Sequence, residues 1–97
     1  MYKLSKLAEH DFAKITRYSL INFGAQKASD YLLSLENALL RLAASPLIGK
    51  KCTAIDTTLM SFPHQQHTIF YRVRKNDIFV VRILHQQMET KLHISYN

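Results

Sequence analysis

The stretch from His67 to His85, His-Thr-Ile-Phe-Tyr-Arg-Val-Arg-Lys-Asn-Asp-Ile-Phe-Val-Val-Arg-Ile-Leu-His, constrains this chain more than any other. Its flanks are dense in Val, Ile, Phe and Tyr, which suit a pleated, half-buried surface. Lys75-Asn76-Asp77 between them is turn chemistry, because Asn and Asp tolerate left-handed backbone angles. The stretch reads as a β-hairpin. A hairpin alone is marginal in water, so the rest of the chain must cover it. It also carries Arg72, Arg74 and Arg82, an unusual cationic load for a core element.

The cover comes first in the chain. Tyr2–Ser5 is a short strand, and Ser5 is placed to cap a helix by accepting from an orphan backbone N–H. Glu9 and Asp11 fall in the first turns, where the helix dipole favours negative charge. Leu7 or Ala8, Phe12, Ile15, Ser19 and Phe23 keep helical spacing, and Gly24 ends the run. A second helix over about 26–44 carries a wide apolar stripe of Ala28, Tyr31, Leu32, Leu35, Ala38, Leu39 and Leu42. So short a link makes the helices antiparallel neighbours. Ser45-Pro46 stops the second helix, since a residue before proline avoids the helical region. Leu47–Lys51 reads as a loop, a strand lies within about Ala54–Phe62, and Pro63–Gln66 turns the chain into the hairpin. Gln86–Lys91 is a polar turn or short helix, and Leu92–Ile94 can add an edge contact. The order β-α-α-β-β-β defines one α+β domain over residues 1–97, with an antiparallel helical hairpin packed on one face of a mostly antiparallel sheet.

Loop length decides which hairpin side chains share a face. A two-residue loop puts Tyr71 and Val73 with Ile78, Val80 and Arg82. A three-residue loop pairs Arg74 with Ile78 and gathers every arginine on one face, together with Phe70, Ile78, Val80 and Leu84. Burying an unpaired guanidinium costs several kcal/mol, so the three-residue loop is preferred. The arginine face then forms an open groove with an apolar floor. Such a groove suits an acidic amphipathic segment of another chain, through Phe70, Arg72, Arg74, Val80 and Arg82.

Composition bounds the rest. An apolar content of 47% and the lack of low-complexity runs argue for a folded domain. No apolar run approaches membrane-spanning length, the N-terminus does not read as a signal peptide, and the lone Cys52 cannot form an internal disulfide, so a cytoplasmic setting is expected. Six basic residues oppose four acidic ones in 1–49, and seven oppose three in 50–97. The excess of +6 thus sits mainly in the hairpin half. Nucleic acid or an acidic protein fits such a surface, and so does a plain solubilising charge.

Five histidines, His10, His64, His67, His85 and His93, raise the question of acid–base chemistry. His67 and His85 fall at the same end of adjacent strands, yet no carboxylate is predictably placed to orient either ring. Core or cross-strand packing with a satisfied ring is the preferred reading of them. Cys52 and the histidines lack metal-ligand spacing, and phosphate-loop, Rossmann and zinc-finger patterns are absent. No metal or cofactor is expected.

Taken together, Tyr2-Lys3-Leu4-Ser5, Ala8, Asp11-Phe12, Ile15, Tyr18, Leu42-Ala43, Pro46, Gly49, His67-Thr68-Ile69-Phe70-Tyr71-Arg72, Arg82-Ile83-Leu84-His85, Met88 and His93 resemble the ParE-type toxins of the RelE/ParE superfamily. The resemblance covers nearly the whole chain in order and spacing. It implies a growth-inhibiting toxin of a type II toxin–antitoxin pair, with DNA gyrase as target. A cognate antitoxin would wrap the toxin with its C-terminal segment and bind operator DNA with its N-terminal part. RelE-like relatives instead cut messenger RNA on the ribosome, using basic residues and an acid or base near the C-terminal end of the sheet. No full set of that kind maps onto this chain, so a non-enzymatic toxin is the preferred reading; a ribonuclease would draw on Arg82 and His85. The target surface is expected in the segment that begins at His85 and includes Met88 and His93. One departure stands out: the usual Gly and Arg before the Phe-Pro step are missing from Thr58-Leu59-Met60-Ser61-Phe62-Pro63.

Overall fold

The structure, a computed structural model, describes residues 1–86. Strand β1 spans Tyr2–Leu4, helix α1 spans Lys6–Ala44, and a 3-10 turn covers Pro46–Ile48. Strands β2 (Lys50–Lys51), β3 (Met60–His64), β4 (His67–Val73) and β5 (Ile78–His85) follow. They form one sheet in the order β1-β5-β4-β3-β2. Only β1 runs parallel to its neighbour, and the other pairs are antiparallel.

Helix α1 consists of two limbs. Straight, its 39 residues would extend about 58 Å at 1.5 Å per residue, beyond the 38 Å longest dimension of the molecule. The break is at Gly24, with φ 85° and ψ 172°, a region that essentially only glycine adopts. Phe12, Thr16 and Leu20 of the first limb share a cleft with Ala28, Leu32 and Glu36 of the second, the ladder expected of antiparallel helices. Ser5 caps the start: its Oγ accepts from the Ala8 N–H at 2.9 Å and donates to the Val81 carbonyl at 2.7 Å. One side chain thus ties the helix start to β5.

The second limb buries Ala28, Leu35, Ala38, Leu39 and Leu42, as its stripe predicts. Leu35, Ala38, Leu39 and Leu42 pack with Ala8, Ile15, Met60, Ile69, Tyr71, Ile78, Val80 and Ile83 in the main core. The first limb departs from its pattern, because Phe23 is 56% exposed and Asp11 only 6%. Tyr71 is fully buried and still satisfied. Its hydroxyl donates to the Pro46 carbonyl at 2.6 Å and accepts from the Gly49 N–H at 3.2 Å. A Cβ on Gly49 would collide with that hydroxyl and approach the Ser61 carbonyl to 2.8 Å. Close approach, rather than backbone freedom, requires glycine there.

The strand before the hairpin lies later than expected, at Met60–His64, with Pro63 inside it. Residues 65 and 66 make the turn, because His64 pairs with His67 and Gln65 takes a positive φ of 53°. Lys50–Lys51 pairs with β3 rather than looping free.

The hairpin register corrects the expected faces. At the turn end Val73 pairs with Ile78 and Tyr71 with Val80, the pairing assigned above to a two-residue loop. At the other end Phe70 pairs with Arg82, Ile69 with Ile83 and His67 with His85, the pairing assigned to a three-residue loop. A bulge between them leaves Val81 as the extra residue. The turn itself is Arg74 to Asp77, closed by Arg74 N–H donating to the Asp77 carbonyl at 2.9 Å. Ile78 and Val80 therefore join the helix-facing core, and Val81 packs on the opposite side.

Candidate functional site

The outer face is not an open groove. Residues 52–59 fold over it, held by Cys52 N–H to the Leu59 carbonyl and by Ile55 and Asp56 N–H groups to the Cys52 carbonyl, at 2.9, 3.0 and 3.0 Å. Leu59, Phe70 and Leu84 bury together beneath this flap, with Cys52, Ile55 and Val81 at its margin. The apolar floor read from sequence is thus covered by the chain's own segment, which removes the cost of wet Phe70 and Leu84. Of the five residues assigned to that groove, Val80 is fully buried on the helix side and Phe70 is buried under the flap.

The three arginines each meet a carboxylate. Arg72 donates to Asp56 Oδ2 at 2.9 Å and to Thr58 Oγ1 at 3.2 Å. Thr58 donates to Asp56 from both backbone and hydroxyl at 2.7 Å, and these bonds, with Arg72, lower the Asp56 carboxyl to about 2. Arg74 grips Asp77 with two bonds of 2.6 and 2.7 Å and lies 4.8 Å from the centre of the Phe79 ring. Arg82 does not stand on the outer face with them. It holds Asp11 of the first limb in a two-pronged pair at 2.8 and 2.9 Å, and Asp11 also accepts from the Ile83 N–H at 3.0 Å. The bond to Asp11 raises the Arg82 pKa above its ordinary value, against the opposing effect of burial.

At the end of the sheet away from the Arg74–Asp77 turn, aromatic and imidazole rings gather. The Tyr31 hydroxyl and His67 Nδ1 are 2.6 Å apart, and Ser34 Oγ lies 3.0 Å from His64 Nε2. The His67 and His85 rings meet edge-on with centres 5.5 Å apart. Burial, then the neighbouring His85 and His64, push the His67 pKa down, while Asp11 opposes the shift. Burial also lowers His64 and raises Tyr31. His67 and His85 do meet, as their strand positions predict. The group touching His67 is a phenol, not a carboxylate.

Two clefts of about 360 Å³ each open beside these rings. One runs between the limbs and the Gln65-Gln66 turn, past Tyr18, Phe23, Lys27 and Tyr31. The other runs past Asp11, Lys14, Arg82 and His85. Tyr18, Gln66 and His67 line both. Among the described residues no group of His, Cys, Asp or Glu is placed to hold a metal ion, and no helix is long and apolar enough to cross a membrane. Met88 and His93, expected in the target surface, lie outside the described residues.

Asp11 escaped notice as the partner of Arg82. The signal was present: position 11 lies three residues after Ala8 and four before Ile15, on the face that faces the sheet. A carboxylate there needs a cation from the sheet. His64 escaped because it was assigned to a turn; in β3 it stands opposite His67.

A small basic domain with a broken helix clamped to a five-stranded sheet is a fold already seen in toxin–antitoxin assemblies. A chain of the chromosomal ParDE TA system from P. aeruginosa superimposes with a TM-score of 0.74 at 17% identity, covering 87% of this chain and 92% of that one. In sequence, residues 2–90 match the model of the family described as ParE toxin of type II toxin-antitoxin system, parDE. The chain belongs to that family of toxins. It is 37% identical over 89 residues to Toxin ParE1 of Mycobacterium tuberculosis, covering 91% of each chain. It is 32% identical over 89 residues to Toxin ParE of Escherichia coli, covering 91% of this chain and 86% of that one.

Proposed function

We propose that this toxin inhibits growth by binding and poisoning DNA gyrase, and that a cognate antitoxin with an acidic C-terminal segment neutralises it. The observation that carries the reading is the family match across residues 2–90. The side chains support a binding role. Arg72, Arg74 and Arg82 are each engaged by a carboxylate of this chain rather than gathered around a nucleophile or a scissile bond. Ribonuclease chemistry would need a cation free to meet the transition-state phosphate. Arg82, the candidate for that role, is instead held by Asp11.

Antitoxin docking is assigned to the outer rim, where Arg72 and Arg74 remain partly exposed at 25% and 43%. An acidic segment there competes with Asp56 and Asp77 for the same guanidinium groups. The target surface is assigned to His85 and the segment that follows it. The test is a purified gyrase assay on plasmid DNA. Toxin should produce gyrase-dependent DNA cleavage, and added antitoxin should suppress it. Unchanged supercoiling and no cleavage at saturating toxin would remove gyrase as the target. Codon-linked cuts in translated messages, found by primer extension, would then favour the ribonuclease alternative with Arg82 and His85.

A further inference from the structure

Two polar contacts fasten the second limb of α1 to the sheet near its Gly24 end, and an imidazole takes part in each. The Tyr31 hydroxyl and His67 Nδ1 of β4 lie 2.6 Å apart. Ser34 gives its only hydroxyl hydrogen to the Tyr31 carbonyl at 2.8 Å, so at 3.0 Å its oxygen accepts from His64 Nε2–H of β3. Neutral His64 is thereby fixed as the Nε2–H tautomer. The Tyr31 ring tilts against both imidazoles, its centre 5.7 Å from the His67 ring and 5.9 Å from the His64 ring. His85 of β5 adds a third imidazole, 5.5 Å from His67. One turn of helix therefore rests on a cluster of groups that gain charge in acid.

Little else holds that turn. Within residues 25–34 Ala28 is the one buried side chain, whereas Leu35, Ala38, Leu39 and Leu42 anchor the rest of the limb. Gly24 breaks the helix just upstream. The segment thus has a hinge at one end and a firm anchor at the other. Segments with few buried apolar contacts open locally at a cost well below that of global unfolding.

The surroundings favour opening in acid. Beside His67, the first limb contributes Asp11 and Lys14 to the cleft walls, β5 contributes Arg82 and His85, and the second limb contributes Lys27, Asp30 and Tyr31. Asp11 favours an added proton, but it already holds Arg82 at 2.8 Å. Lys27 and Asp30 are exposed and opposite in charge. A proton on one imidazole meets like charge on its neighbours in a partly buried place, and opening hydrates both. Burial and like charge accordingly hold His67 below its ordinary value, and burial lowers His64. Such groups take up protons more readily in the open form, so falling pH drives opening.

We propose that residues 25–34 form an acid-released latch: neutral His64 and His67 hold Tyr31 and Ser34 on the sheet, and their protonation frees that turn while residues 35–44 stay packed. Release widens the cleft of about 360 Å³ between the limbs and the Gln65-Gln66 turn. The latch does not depend on gyrase being the target.

The experiment is hydrogen–deuterium exchange of the full chain from about pH 7.5 to about pH 5, with rates corrected for the intrinsic effect of pH. Mass spectrometry reads peptides covering 25–34 and 35–44. Opening of 25–34 should rise as pH falls, by up to about tenfold per pH unit for each proton taken up, while 35–44 keeps its protection. His64→Gln and His67→Gln should each flatten that dependence. Ser34→Ala removes a tether but no titrating group, so it should raise opening at every pH and leave the slope unchanged. A segment 25–34 that does not respond to pH would overturn the proposal. So would equal loss of protection in both segments, or an undiminished slope in both histidine variants. If a histidine variant does not fold, nuclear magnetic resonance of the parent decides: the His64 and His67 imidazole signals must titrate in the pH window where the amide signals of 25–34 change. Separate windows would overturn the latch.

Discussion

At the turn end of the hairpin, Arg74 lies against Asp77 at the surface, its side chain 43% exposed. At the other end Arg82 and Asp11 form a pair of the same chemistry with side chains only 11% and 6% exposed. Both pairs are two-pronged, at 2.6 and 2.7 Å in the first and 2.8 and 2.9 Å in the second. Their surroundings make them different devices. Water screens the first, and exposed ion pairs add little. The second links the first limb of the helix to β5, and removing one partner strands a charge in a nearly dry site. The difference teaches that an arginine on this hairpin cannot be assigned to a partner surface by residue type. Arg72 and Arg74 stay partly exposed beside their carboxylates, whereas Arg82 ties the first limb to β5.

The largest expected effect follows from breaking the inner pair. Asp11→Ala should cost about 3–5 kcal/mol, because it removes the buried carboxylate that holds Arg82 and accepts from the Ile83 N–H. That is a large fraction of the roughly 5–15 kcal/mol that holds a domain together. Urea denaturation of the variant would show it, and a midpoint close to the parent's would mean the pair is not a clamp.

Next is the support beneath the outer face. Gly49→Ala forces a methyl group onto the Tyr71 hydroxyl and the Ser61 carbonyl. Overpacking of this kind costs about 1–3 kcal/mol. The melting temperature should drop by several degrees, and an unchanged value would show that the Pro46–Lys51 segment yields freely.

A smaller effect comes from pH. His67, faced by Tyr31, His64, His85 and Asp11, is held below its ordinary value of 6.5, so the unfolded chain takes up that proton first. Its contribution to stability is therefore complete above about pH 6.5 and is lost as pH falls through the lower folded value. His64 adds to the loss with the same sign. Melting temperatures measured from pH 7.5 downward should fall less steeply in His67→Gln than in the parent. Parallel curves would place the acid sensitivity elsewhere. Asp56, lowered to about 2, acts in a separate window, with its contribution present above about 3.8 and lost toward 2.

The smallest effect is expected at the turn. Asp77→Asn removes the charge opposite the exposed Arg74, and thermal melting should not resolve the change. A clear destabilisation would equalise the two pairs and remove the distinction drawn between them.

Much of this architecture was legible in the chain. Ser5, Gly24 and Ser45-Pro46 marked the limits of the helical limbs through capping, a backbone angle and a proline. Leu35, Leu39 and Leu42 marked the buried face through helical spacing. The register of the hairpin was not legible, because a bulge at Val81 has no residue signature of its own and both candidate registers are satisfied, one on each side of it. The flap over Phe70 was not legible because residues 52–59 bury few side chains and depend on Asp56–Thr58 hydrogen bonds and one leucine. Of the candidate site, the meeting of His67 with His85 followed from strand pairing. The commitment of Arg82 to Asp11 depended on packing between residues 71 positions apart.

Whether Arg82 serves the fold or the toxic function can be measured with a neutral replacement of the whole pair. Asp11→Asn with Arg82→Gln removes both charges together and keeps an acceptor for the Ile83 N–H. The combined variant should recover most of the stability lost by Asp11→Ala, and once folded it should match the parent in the cleavage assay that tests the proposed gyrase target. A well-folded combined variant that no longer supports cleavage, beside an active parent, would contradict the account and make Arg82 part of the functional surface.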